Sequence, residues 1–155
     1  MSGPPGRLLG IDFGTVRVGL AVSDPDRVVA SPLDTYPRRD AIVDAAYFSR
    51  LAAAERVVGL VVGLPLHTGG EEGIKAREAR AFGAWLAGVT MLPAVFWDER
   101  YTTAAADDAL RLARLSPQKR KDRRDRVAAQ FILQAYLDAG CPPEGTVALP
   151  PEPAE

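Results

Sequence analysis

Cysteine and histidine are nearly missing: the 155 residues contain one of each, Cys141 and His67. A lone cysteine excludes an internal disulfide and a cysteine-rich zinc site, and it fits a reducing cytoplasm. No stretch approaches the ~20 consecutive apolar residues that span a bilayer, so membrane insertion is not expected. The opening MSGPPGRLLG has no basic segment leading into a long apolar run, which argues against secretion. P-loop and dinucleotide fingerprints are absent as well. Excess charge is also lacking: the formal net charge is −1, which taken alone speaks against a nucleic-acid partner.

What is present points elsewhere. A chain of this length fits one domain that buries roughly 70% of its unfolded surface, and 47% apolar with 25% charged residues is an ordinary globular composition. The positive charge is concentrated. Arg111, Arg114, Lys119, Arg120, Lys121, Arg123, Arg124 and Arg126 fall in one short segment against only Asp122 and Asp125. Such a stripe is the electrostatic footprint of a phosphate backbone.

Hydrophobic patterning predicts strands over 8–13 and 18–23, paired as a hairpin, and a third over 28–35 that Pro32 confines to an edge. A helical period covers 40–55. The continuous run at 57–64 reads as a strand buried on both faces and stopped by Pro65. A helix over 74–87 ended by Gly88, a strand over 89–97, a helix over 102–115 and a last helix over 124–139 ended by Gly140 complete the order βββαβαβαα. The expected fold is α/β, with a mixed five-stranded sheet and helices on both faces. Residues 1–139 form the expected single domain, and the proline-rich 140–155 an extended tail.

Three acidic sites stand out. Asp12 closes the first buried strand, two positions before Gly14, which lets the chain turn and a bulky anion approach; a plain Asp-Gly turn is the competing explanation. Trp97-Asp98-Glu99-Arg100 closes a later strand, where alternation lets only one of Asp98 and Glu99 face the side of Asp12. Their alternative role is to favour the dipole of the following helix. Asp125 begins the last helix, beside an apolar stripe of Val127, Phe131, Ile132, Ala135 and Tyr136, with Asp122 one turn earlier as its substitute. Carboxylates converging from separate elements are what hard divalent cations require, and two cations ~3.5–4 Å apart hydrolyse phosphodiesters without histidine or cysteine.

The loop LPLHTGGEEG enters the second helix. Free backbone N–H groups there suit an anion, but Glu71 and Glu72 repel phosphate and complement the helix dipole. The loop therefore reads first as a flexible rim of the site, with His67 as a surface residue.

Four blocks, LLGIDFGTVRVGLAVSD, VVGLPLHTGGEEG, WDERYTTAAADDAL and DRVAAQFILQAYLD, occur in an order and spacing that resemble the YqgF/RuvX family. These are bacterial pre-16S rRNA nucleases, also described as Holliday-junction-resolvase-like. The resemblance implies a ribonuclease H-like fold and a Mg²⁺ or Mn²⁺ site held by Asp12, Glu99 and Asp125, and so favours Glu99 over Asp98. Val16 departs from a position commonly basic in the family and His67 from one often asparagine, which affects substrate contacts more than chemistry. The partner implied is structured RNA or branched DNA, bound through Arg17, Lys119, Arg120, Lys121, Arg123 and Arg124. Symmetric cutting of a four-way junction calls for a homodimer; trimming an rRNA precursor does not.

Two other functions compete. Asp-Phe-Gly-Thr before a glycine-containing hairpin also resembles the first phosphate loop of actin-like ATPases, but those close two such domains over a nucleotide and this chain has length for one. A nucleic-acid-binding module without catalysis would use the basic segment equally well, although retention of all three acids argues for cleavage.

Overall fold

The first three strands follow one another as antiparallel neighbours: β1 (Arg7–Asp12), β2 (Arg17–Ser23) and β3 (Ala30–Pro37). Two parallel additions, β4 (Val57–Leu64) beside β1 and β5 (Ala94–Asp98) beside β4, give the order β3-β2-β1-β4-β5. The expected mixed five-stranded sheet is therefore present, with the proline-bearing β3 at one edge. The structure is a computed structural model that describes residues 6–67, 69–100 and 117–143, with side chains from residue 123 onward in the last stretch. The helix expected over 102–115 lies outside the described residues.

Helix α1 (Ala41–Ala54) starts where the Asp40 carboxylate accepts the Val43 N–H at 2.9 Å, supplying a partner for one of the donors a helix start leaves unpaired. It packs with α2 (Ile74–Thr90) on one face of the sheet, burying Phe48, Phe82 and Leu86 against Leu9, Ile11, Leu60 and Val62. The last helix, α3 (Pro117–Asp138), covers the other face against Leu8, Ala21 and Val61. Alternation along β1 thus assigns Leu9 and Ile11 to the first layer, and Leu8, Gly10 and Asp12 to the α3 layer.

Boundaries moved where local signals were weak. Gly88 does not end α2: it is exposed with open space around it, and the helix runs on to Thr90. A mid-helix glycine costs only about 1 kcal/mol, so packing of the apolar face overrides it. The stop comes at Met91, in the left-handed region at φ 59°, ahead of Pro93. Consequently β5 starts at Ala94 rather than at residue 89.

Helix α3 begins seven residues before the expected start. Its buried stripe is Ala128, Ala129, Ile132, Leu133, Tyr136 and Leu137, whereas Val127, Phe131 and Ala135 are only partly buried. The alanines lie inward because the helix backbone approaches the sheet closely: the Ala129 carbonyl comes within 3.1 Å of where a side chain on Gly10 would begin. The proline-rich tail is also docked at its root. Cys141 is buried, and the Tyr136 hydroxyl donates to the Pro142 carbonyl at 2.6 Å.

Candidate active site

The site assembles on the α3 face of the sheet. Asp12, the last residue of β1, sits across the ladder from Gly19 of β2. A side chain on Gly19 would run into the backbone carbonyl of Asp125, so α3 crosses the sheet with Asp125 directly above the Asp12–Gly19 pair. Asp125 continues the line of the buried stripe, one turn before Ala128 and Ala129, which explains how an acid among arginines reaches the sheet.

The choice between Asp98 and Glu99 follows from strand geometry. Trp97 packs on the α3 side against Tyr136, with ring centroids 5.6 Å apart. Beyond Asp98 the ladder continues for one step, because the Glu99 N–H donates to the Leu64 carbonyl at 3.1 Å. Alternation then turns Asp98 away and returns Glu99 to the face of Trp97 and Asp12. The Glu99 carboxylate lies over Gly63, where any Cβ would collide with it. Asp98 is instead buried and tied to Arg100, accepting its backbone N–H at 2.9 Å and its guanidinium at 2.6 and 2.7 Å.

Asp12 and Glu99 line one cavity of about 350 Å³ together with Phe13, Thr15, Pro65, Lys75 and Glu78. Burial, and next the charges of Glu99 and Asp125, hold the Asp12 carboxyl well above the usual carboxylate range, with Arg124 pulling the other way. Burial and the Asp98 charge push Glu99 up to about 7. Anions that desolvation and mutual repulsion make costly to ionise form a site where a bound cation would relieve that cost, and their oxygens suit Mg²⁺ or Mn²⁺. That donor set fits a divalent metal. Among the described residues, however, no three His, Cys, Asp or Glu side chains are gathered so as to hold an ion as they stand. The Asp125 Oδ2 accepts the Arg17 Nε–H at 2.8 Å.

The cationic residues divide. Arg17 opens β2, half-exposed and paired with Asp125. Arg123 and Arg124 are exposed on α3, the latter near enough to Asp12 to act on its charge. Lys119, Arg120 and Lys121 belong to the first turns of the same helix, and their side chains, like that of Asp122, lie outside the described residues. His67 is exposed in the loop before α2, its ring against Gly73. Glu72, next to the Gly73 N-cap of α2, forms a bridge with Leu66 and holds Arg80 at 2.6 and 2.9 Å.

Sequence reasoning missed Thr15, Lys75 and Glu78. Thr15 lies in the turn after Asp12, and Lys75 and Glu78 are spaced by three on the first turns of α2, so they share a helix face beside the cavity. That spacing was the available signal, overshadowed by the glycine-rich loop just before it.

Known proteins resemble the chain in sequence and in fold. The family model described as "RuvX: Holliday junction resolvase" matches residues 6–139. Two bacterial proteins bearing the name "Putative pre-16S rRNA nuclease" are similar over most of their length. One from Rhodopirellula baltica is 47% identical over 134 residues, 86% of this chain and 78% of that protein. One from Bradyrhizobium sp. is 46% identical over 133 residues, 86% of this chain and 83% of that protein. Among solved structures, T. thermophilus RuvC in complex with a Holliday junction superposes with a TM-score of 0.55 at 15% identity, covering 87% of this chain and 95% of that one. The Fowlpox virus resolvase bound to junction DNA gives 0.54 at 9% identity, covering 88% and 99%. The shared fold is ribonuclease H-like.

Proposed function

Since the chain belongs to the RuvX family, we propose that it is a metal-dependent nuclease that hydrolyses phosphodiester bonds of structured nucleic acid. The observation that carries the reading is the facing of Asp12 and Glu99 across one cavity, with Asp125 seated over the cross-strand partner of Asp12. Asp12, Glu99 and Asp125 would hold Mg²⁺ or Mn²⁺. When bound, such a cation lowers the pKa of water and stabilises the leaving oxygen of an in-line displacement.

The chain's own groups supply the rest. Lys75 places a positive charge on the wall of a cavity otherwise dominated by carboxylates, where it can neutralise the phosphate that enters. Arg17, Lys119, Arg120, Lys121, Arg123 and Arg124 hold the flanking backbone through charge and shape, without reading base sequence. Two substrates are in view. The name shared by the relatives supplies the 5′ end of pre-16S rRNA, and the family description supplies the Holliday junction, whose symmetric resolution requires a homodimer. Either substrate would be met in the cytoplasm.

The test compares wild type with Asp12→Asn, with Mg²⁺ or Mn²⁺, on a pre-16S rRNA leader, a four-way DNA junction and single-stranded DNA. Wild type should cut one of the first two, and the variant should bind that substrate and leave it intact. A fully active variant would remove the metal-site account. A wild type that binds all three and cuts none would instead identify a binding module.

A further inference from the structure

A second cavity, of about 460 Å³, adjoins the acidic one and shares Phe13, Thr15 and Glu78 with it as a common wall. Its interior is aromatic: Phe82 and Trp85 of α2 lie 5.6 Å apart, and Phe13 stacks at a tilt 4.7 Å from Phe82. The Arg38 guanidinium caps the pair, 5.3 Å from each of the Phe13 and Phe82 ring centres. Its Nε lies at ion-pair distance, 3.5 Å, from the fully buried Asp44, without a hydrogen bond between them, and Asp44 accepts the Tyr36 hydroxyl at 2.6 Å. Rings and a planar cation thus line one wall together.

The geometry points to a subsite for one unpaired nucleobase of the substrate, stacked on Phe13, Trp85 and Arg38 beside the phosphate held over Asp12 and Glu99. This rests on the nuclease reading for the identity of the substrate. Aromatic faces and arginine planes are what single-stranded bases stack on, whatever the sequence. The hollow is broad and open, so a planar base could lie against its wall without being enclosed. Glu78 stands in the wall common to both cavities, where its carboxylate can accept hydrogen bonds from the exocyclic amino group of a base. The two cavities would divide the nucleotide, with the phosphate beside Lys75 and the proposed cation and the base on the aromatic side. Nucleic acid with a locally unpaired base next to the cut is favoured over continuous duplex.

The test needs no cleavage. In EDTA, hexaadenylate in ribo and deoxyribo forms is titrated beside an abasic hexamer of equal charge. Affinity is read by anisotropy of a labelled probe and stacking by tryptophan emission. Trp85 is one of only two tryptophans, so Trp97→Phe isolates its signal and Trp85→Phe removes it. Expected are about tenfold tighter binding of the base-bearing hexamers, a saturable quench of Trp85 by them alone, and convergence of both probe types in Phe13→Leu. The ribo and deoxyribo arms show which nucleic acid supplies the base. Equal affinity for abasic and base-bearing probes, or a base preference indifferent to Phe13→Leu and Trp85→Leu, overturns the subsite. Circular dichroism of each variant separates lost binding from lost folding. Asp12→Asn should keep the quench. A base-dependent quench in a wild type that cuts nothing would retain the subsite and discard the nuclease reading.

Discussion

Arg17 donates its Nε–H to Oδ2 of Asp125 at 2.8 Å, linking the start of β2 to α3 across 108 positions. The pair joins a residue expected on the nucleic-acid surface to one expected at the metal. Under the proposed metal site, this arginine and a cation would compete for the same oxygen.

Competition between Arg17 and a cation gives the first prediction. Arg17→Ala should bind Mn²⁺ several-fold more tightly by isothermal titration, because a fixed positive charge leaves the site. Its stability should change by less than about 1 kcal/mol, since the pair is substantially exposed. Weaker Mn²⁺ binding would instead make Arg17 an orienting partner of Asp125.

Glu99 should give the metal-free protein an inverted pH response. Its carboxyl is raised from 4.5 to about 7, so between those values the folded state binds more protons than the unfolded chain. The resulting stabilisation is complete below about 4.5 and is lost as pH rises through about 7, at most about 3 kcal/mol in all. Urea unfolding in EDTA at pH 5, 6, 7 and 8 should show wild type losing stability relative to Glu99→Gln as pH rises. Parallel profiles would mean that Glu99 ionises freely.

Neutralising Lys119, Arg120, Arg123 and Arg124 together should weaken binding to unrelated sequences alike. For every phosphate that the variant no longer neutralises, the slope of log K against log salt should flatten by about 1. An unchanged slope in filter binding from low to high salt would assign the segment another role.

Two glycines should respond in opposite directions to alanine. Gly19→Ala drives a methyl into the Asp125 carbonyl and should cost about 2 kcal/mol or more, displacing α3 and with it Asp125. Gly88→Ala, exposed in α2 with open space around it, should stabilise by up to about 1 kcal/mol. Thermal unfolding of both variants checks the pair; a tolerated Gly19→Ala would show that α3 is free to shift.

Much of this architecture is written in local pattern. The apolar runs of β1, β2 and β4 and the period of α1 fix element type, because burial on one or two faces demands a repeat that a sequence displays. Asp12 stood out for the same reason, as an acid that ends a buried run, with an Asp-Gly turn as its competing explanation. The Gly88 boundary and the stripe of α3 were not legible, since helix ends and the choice of inward face depend on what the helix meets. Ala129 turns inward where Gly10, opposite it, lets the helix backbone come close.

The sequence by itself determined which acids were available and on which kinds of element they stood. It left Asp98 and Glu99 balanced until family resemblance favoured Glu99, because alternation ranks neighbours only once the strand's last hydrogen bond is known. Tertiary structure supplied that bond, from the Glu99 N–H to Leu64, and with it the side of the sheet that each acid faces. It also joined Arg17 to Asp125 and set Phe13, Arg38 and Trp85 around one cavity. Distance along a chain carries no information about distance in space until helices and strands have packed.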